Sequence, residues 1–247
     1  MGRWSRLLAR AFIDWLSPPP AARWLDLGCG TGALSATILA HCTPASVLAL
    51  DPSEAFIAFA QRQIADPRIT FRVGDALHLP AEAHSIDLAV SGLALNFIPE
   101  PAGALRATRQ ALQPGGSIGL YVWDYSGRME MLRYFWDSVV ALDPQARGLD
   151  EGVRFPVCRP DPLRQVCAEA GLSRIDVEAL DAMMTFTDFA DYWSPFLGGQ
   201  GPAPGYVAGL EASNRLALEE HLRTRLPFGE DGSIRLVARA WAVRASV

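Results

Sequence analysis

The chain has 247 residues, half of them hydrophobic and a fifth charged, with a formal net charge of −5. This is enough apolar material for one large α/β domain, or a core with a modest lid, and the acidic balance argues against a nucleic-acid partner. No apolar run reaches the roughly 18 residues a membrane span needs. The scattered Cys29, Cys42, Cys158 and Cys167 form no CxxC pair, and His41, His78, His84 and His221 form no cluster, so neither a disulfide framework nor a metal site is expected.

At the N-terminus, Arg10 and Asp14 interrupt the apolar residues and argue against a secretory signal. Leu8, Phe12, Trp15 and Leu16 instead share one face of an amphipathic helix, and a cytoplasmic protein is the expectation. Pro18-Pro19-Pro20 ends that helix. Trp24, Leu25 and Leu27 then read as a short buried strand, followed by a glycine turn and a helix from Thr31 to His41. Ser46 to Asp51 is a second strand, Ser53 to Ile64 a helix, and Ile69 to Val73 a third strand. Ile86 to Ser91 is a fourth strand, and a helix from Ala102 to Leu112 is stopped by Pro114-Gly115-Gly116. Ser117 to Trp123 is a fifth strand, and the alternation predicts right-handed crossovers and a parallel sheet.

Beyond Asp124 the rhythm loosens. Helices are predicted from Met129 to Leu142 and from Pro162 to Ala170, the latter capped by Asp161 and ended by Gly171. Ile175 to Ala179 reads as a strand, and Asp188 to Phe196 and Tyr206 to Arg225 as helices. A linker-like loop from Gly198 to Gly205 separates those two helices, and Ser233 to Arg244 alternates as a final strand.

The chemistry concentrates in RWLDLGCGTG, Arg23 to Gly32. Gly28, Gly30 and Gly32 allow a tight turn with no side chain between backbone and ligand, at the N-terminus of a helix. Such turns serve many adenosine ligands. Ala33 stands where a dinucleotide fingerprint would place its third glycine, and an acid, Asp26, lies within the apolar strand. A buried carboxylate gains nothing from a pyrophosphate but complements a ligand carrying an ammonium and a sulfonium. Asp51, ending the second strand, suits ribose hydroxyls, and Asp75, after the third, lies within reach of an adenine amino group.

With these residues in place, LDLGCGTG, LALDPSEAFIAFA, VGDALHLP and SIDLAVSGLALNFIPEP resemble the successive motifs of class I S-adenosylmethionine-dependent methyltransferases. The resemblance is to the small-molecule group that includes the ubiquinone-biosynthesis (type 11-like) enzymes, and it covers about Arg3 to Trp123 well and the remainder loosely. It implies a Rossmann-like α/β fold: a seven-stranded, mostly parallel sheet with helices on both faces and a helical lid. The whole of 1–247 would be one domain, with a core at about 21–124, 160–180 and 232–247 and lid elements at 1–17, 125–159 and 181–231. It also implies S-adenosyl-L-methionine as cofactor, leaving as S-adenosyl-L-homocysteine. Asp26 and the Gly28 backbone would hold the amino-acid end, Asp51 would bind the ribose with Pro52 and Ser53 beside it, and Asp75 and Ala76 would contact the adenine, with Cys29, Gly30, Gly32 and Gly74 also among the cofactor-binding residues. Ser91 and Leu93 would line the methionine arm, with Trp4 on a helix that closes over the cofactor. Where the family often carries histidine, this chain has Asn96-Phe97.

Methyl transfer needs positioning and exclusion of water more than a fixed catalytic residue. Asn96, Asp124 and Tyr125 are the candidates at the ends of strands four and five. Two aromatic and sulfur-rich clusters, Tyr125 to Trp136 and Met183 to Phe196, predict a small apolar or aromatic acceptor, although such stripes form core more often than pocket. Monomer and homodimer are both open. The alternatives are a member of the fold that binds the cofactor without methylating and, less favoured, an NAD-dependent oxidoreductase.

Overall fold

The structure, a computed structural model, describes residues 2–198 and 201–247. Seven strands form one sheet: β1 (Arg23–Leu27), β2 (Ser46–Asp51), β3 (Ile69–Val73), β4 (Ile86–Gly92), β5 (Leu112–Trp123), β6 (Ser173–Phe186) and β7 (Ile234–Ser246). Their order is β3-β2-β1-β4-β5-β7-β6. The pairs β1–β2, β1–β4, β2–β3 and β4–β5 are all parallel. β7 reverses the direction, since Asp124 N–H meets Arg239 O while Val247 N–H meets Gly116 O. The sheet is the mostly parallel Rossmann-like sheet expected from the sequence.

The helices are α1 (Gly2–Leu16), α2 (Ala33–His41), α3 (Glu54–Gln63), α4 (Pro101–Ala111), α5 (Glu130–Leu142), α6 (Glu151–Arg154), α7 (Pro160–Glu169), α8 (Phe189–Trp193), α9 (Pro202–Ala208) and α10 (Ala212–Arg225). The chain divides into two compact units. One, the sheet unit, comprises residues 2–122, 159–180 and 241–247; the other comprises 123–158 and 181–240.

In the sheet unit, the central strand β1 buries Trp24, Leu25 and Leu27 between two parallel neighbours. Arg23 ties β1 to β4: its N–H, Nε and guanidinium all donate to the Asp87 carboxylate at 2.7–3.0 Å. α1 packs through its predicted face, with Leu8 and Phe12 fully buried and Phe12 4.6 Å from the Tyr121 ring of β5. A side chain at Gly119 would press within 2.9 Å of both Phe12 and Leu16, so glycine there admits the helix.

Five sequence readings need correction. Pro114-Gly115-Gly116 does not stop a helix; α4 ends at Ala111, and the three residues form a bulge inside β5. Leu112 faces Ile86 while Ser117 faces Leu88, with the extra residues looped out at Gly115, whose φ is 80°. Asp161 lies in the first turn of α7, and Arg159 is its cap. Gly198 to Gly205 is not a simple loop, because α9 starts at Pro202, a residue suited to the first helical position; 199 and 200 lie outside the described residues. The single helix expected from Tyr206 to Arg225 is two helices broken at Gly209. β6 also runs on past Ala179 to Phe186, so Met183, Met184 and Phe186 lie on a strand.

Candidate cofactor site

The site grows from the end of β1. Asp26 is completely buried, and its Oδ2 accepts a 2.6 Å hydrogen bond from Ser35 Oγ of α2. Its Oδ1 has no partner among the described residues. Burial pushes the carboxyl up to about 7; the Ser35 bond opposes that shift and the neighbouring Asp51 adds to it. Ser35 was missed in the sequence, where it is one of two polar residues inside the apolar run ALSATILA.

The glycine turn folds back on β2. Gly28 and Cys29 N–H both donate to Leu50 O, at 2.8 and 2.9 Å, and Gly30 N–H donates to Asp51 Oδ2 at 2.9 Å. Gly28 and Gly30 have φ of 72° and 54°, which side-chain-bearing residues rarely adopt. Their surroundings differ. A Cβ at Gly28 would lie 2.4 Å from Ala94 Cβ, whereas one at Gly30 would meet nothing within 4 Å. Gly28 is needed for close packing against the turn after β4, and Gly30 leaves open space beside the backbone. The Cys29 thiol is buried and pushed upward in pKa by desolvation and by Asp26 and Asp51.

Asp51 is nearly buried, and its other oxygen accepts Ser53 N–H at 2.9 Å. Ser53 caps α3 by accepting Phe56 N–H, so Asp51 is free of the capping role and braces the glycine turn instead; Pro52 is exposed beside it. Gly74 N–H donates to Asp51 O at 3.1 Å, which brings the end of β3 to the same place. Asp75 is exposed there, accepting Leu77 N–H and pairing with His78, and those bonds hold its carboxyl below the usual range. Ala76 follows, half-buried.

After β4, Ser91 Oγ donates to Leu27 O at 2.9 Å, fixing β4 against β1. Leu93 takes a φ of 59° and donates its N–H to Tyr121 O. Asn96 follows on a single 3-10 turn, Leu95–Phe97, with neither amide atom partnered among the described residues. Leaving such atoms buried and unpaired costs about 1–3 kcal/mol each. Trp4 of α1 is buried. Every predicted cofactor residue, and Asn96, thus belongs to the sheet unit.

The other two catalytic candidates belong to the second unit. Asp124 is buried and its carboxylate accepts Arg128 N–H at 2.8 Å, while its carbonyl accepts Gly127 and Met129 N–H. It closes a backbone turn. Tyr125 is buried with its ring 5.7 Å from Phe155. The aromatic clusters form this unit's core: Phe135 stacks on Phe196 at 4.4 Å, and the Tyr192 hydroxyl donates to Met131 O. Met183 is the exposed exception.

Residues 25–120 match the methyltransferase domain family. Over that stretch the chain is similar to class I methyltransferase domains of the type 11 group. Over 131 residues it is 37% identical to a malonyl-[acyl-carrier protein] O-methyltransferase of Methylococcus capsulatus, covering 52% of this chain and 46% of that protein. Over 117 residues it is 30% identical to a ubiquinone/menaquinone biosynthesis C-methyltransferase of Dinoroseobacter shibae, covering 46% and 47%. The chain therefore spans less than half the length of these curated relatives. Among solved structures, the YcgJ protein of Bacillus subtilis superposes with a TM-score of 0.61 at 13% identity, covering 96% of this chain and 97% of that one. Phosphoethanolamine N-methyltransferase 2 of Haemonchus contortus, solved with S-adenosylhomocysteine, gives 0.59 at 17% identity, covering 97% of this domain-bearing chain and 52% of that one. At such identities these likenesses speak for the fold.

Proposed function

We propose that the chain is an S-adenosylmethionine-dependent methyltransferase acting on a small-molecule acceptor. The observation that carries this reading is Asp26, a fully buried carboxylate with one unpaired oxygen beneath a glycine turn that leaves open space at Gly30. A nicotinamide dinucleotide would bring pyrophosphate charge toward that acid. An amino-acid sulfonium ligand would bring an ammonium to it. Asp26 and the Gly28 backbone would hold the amino-acid end, Asp51 the ribose hydroxyls, Asp75 and Ala76 the adenine, and Ser91 and Leu93 the intervening arm.

When bound, that cofactor supplies a methyl group already activated by its sulfonium leaving group. The chain's own residues bind, orient and exclude water. Asp51 would have to share its carboxylate between the ribose and the Gly30 and Ser53 N–H groups, which the second lone pair on each oxygen allows.

One observation supports a second reading, in which the cofactor is bound without methyl transfer. Asp124 is committed to a backbone turn, and Asn96 cannot accept a proton at neutral pH. Titrating S-adenosylhomocysteine and NADH against intrinsic tryptophan fluorescence tests the cofactor, with binding expected for the first alone. Incubating S-adenosylmethionine with panels of phenols, amines, carboxylic acids, peptides and RNA tests the reaction. A mass gain of one methylene on a small molecule is expected. Cofactor binding with no methylated product would favour the second reading, and NADH binding in place of the adenosyl ligand would overturn both.

A further inference from the structure

A buried side-chain amide that meets neither donor nor acceptor is rare, because folding has stripped it of water without replacement. Asn96 is in this state: 9% exposed, with Oδ1 and Nδ2 both unpartnered among the described residues. Its place is fixed by its neighbours. Leu93, at positive φ and bonded to Tyr121 O, turns the chain sharply after β4. Ala94 then closes on Gly28, and Leu95 is fully buried. The turn that carries Asn96 is therefore the one that abuts the glycine turn of the cofactor site. An apolar residue of similar size would fill the same space without unmet polar atoms, so the fold itself has no use for the amide.

We propose that Asn96 is a specificity-determining residue for the methyl acceptor, selecting a neutral group that donates and accepts a hydrogen bond at once, a hydroxyl or a carboxamide. The proposal rests on the methyl-transfer reading of this site and deepens it. Oδ1 only accepts and Nδ2 only donates, and the carboxamide stays uncharged throughout the working pH range. A carboxylate would pair with Nδ2 but face the lone pairs of Oδ1; an ammonium would pair with Oδ1 but face Nδ2. Either ion would also surrender its hydration to a partner without countercharge. A hydroxyl or a carboxamide satisfies both atoms. Neither atom is open to solvent, so the acceptor meets the amide only by displacing its neighbours, and the pairing then forms where water does not compete, which sharpens the discrimination. Asn96 is a positioning residue in this scheme and exchanges no proton.

The test uses the full chain saturated with S-adenosylhomocysteine, whose binding is measured first for each variant. Four probes of one size are then titrated: benzyl alcohol, benzamide, benzylamine and benzoate. The readout is the side-chain amide NMR signal of Asn96, identified by its loss in Asn96→Leu, together with probe affinity. The two neutral probes are expected to shift that signal and to bind about tenfold tighter than the charged ones. Asn96→Leu should erase the preference. Asn96→Asp, equal in shape but charged, should turn it toward benzylamine, and it serves if the leucine variant does not fold. Charged probes binding as well as neutral ones, a neutral preference that survives both substitutions, or no probe moving the signal would each overturn the assignment alone. Wild-type protein that fails to bind S-adenosylhomocysteine would overturn the methyl-transfer reading with it.

Discussion

At the scale of single residues, Asp26 sets stability against binding. Its folded pKa is raised from 3.8 to about 7, so the folded chain holds that proton more tightly than the unfolded chain. The resulting stabilisation is complete below the unfolded value and is lost as pH rises through the folded one. A shift of this size corresponds to at most about 4 kcal/mol. Asp26→Asn is therefore expected to be more stable than the wild type at pH 8 by about 2–4 kcal/mol, read by urea denaturation. The same variant should bind S-adenosylhomocysteine about 10–100-fold more weakly, having lost a charge-assisted bond to the ligand's ammonium. In the wild type, affinity should rise with pH toward 7 as Asp26 ionises, with proton release seen by calorimetry in buffers of different ionisation enthalpy. It should fall again above about 8, where the ligand's α-amino group loses its charge. An acid limb retained by Asp26→Asn would show that another group titrates. Asp75, exposed and held low by Leu77 N–H and His78, should contribute nothing to that limb.

At the scale of elements, the parallel half of the sheet was legible because each strand is a short apolar run bounded by turn residues and followed by a helical period. β1, β2 and β3 span Arg23–Leu27, Ser46–Asp51 and Ile69–Val73, within the stretches the sequence predicts. Asp26, the three glycines and Asp51 were legible for the same reason, since their spacing is set by strand and turn geometry. What escaped depends on tertiary pairing. Pro-Gly-Gly is a stop signal in isolation, but parallel pairing with β4 on either side recruits it as a bulge. Asn96 reads as one polar residue in an ordinary turn, and only burial exposes its lack of partners. The bulge carries its own prediction. A Cβ at Gly116 would come within 2.9 Å of Gln113 O and 3.1 Å of Asp87 O, both backbone atoms that cannot swing aside. Gly116→Ala should cost about 1–3 kcal/mol. Gly148→Ala, where a Cβ meets nothing within 4 Å, is the control, and equal losses in the two would count against the bulge as a constraint.

At the scale of the whole molecule, the two units are built on different principles. The sheet unit is specified by strand pairing. The second unit is held by aromatic packing around Phe135, Phe186, Tyr192 and Phe196, each no more than 2% exposed. Sequence could not tell that core from a ligand pocket, because the same side chains serve both and only their burial distinguishes them. Phe196→Ala should lower stability by about 3–5 kcal/mol in thermal or urea unfolding. Phe228→Ala, at a position 42% exposed, should change it far less, and similar losses would deny Phe196 its place in the core. The Cys29 thiol, sealed inside the glycine turn and kept protonated by its surroundings, bears on the molecule's chemical durability. Oxidants and alkylating agents act on thiolates they can reach. The glycine turn is thus insulated from redox damage for as long as the sheet around it stays closed, and the modification rate of Cys29 becomes a clock for how often it opens.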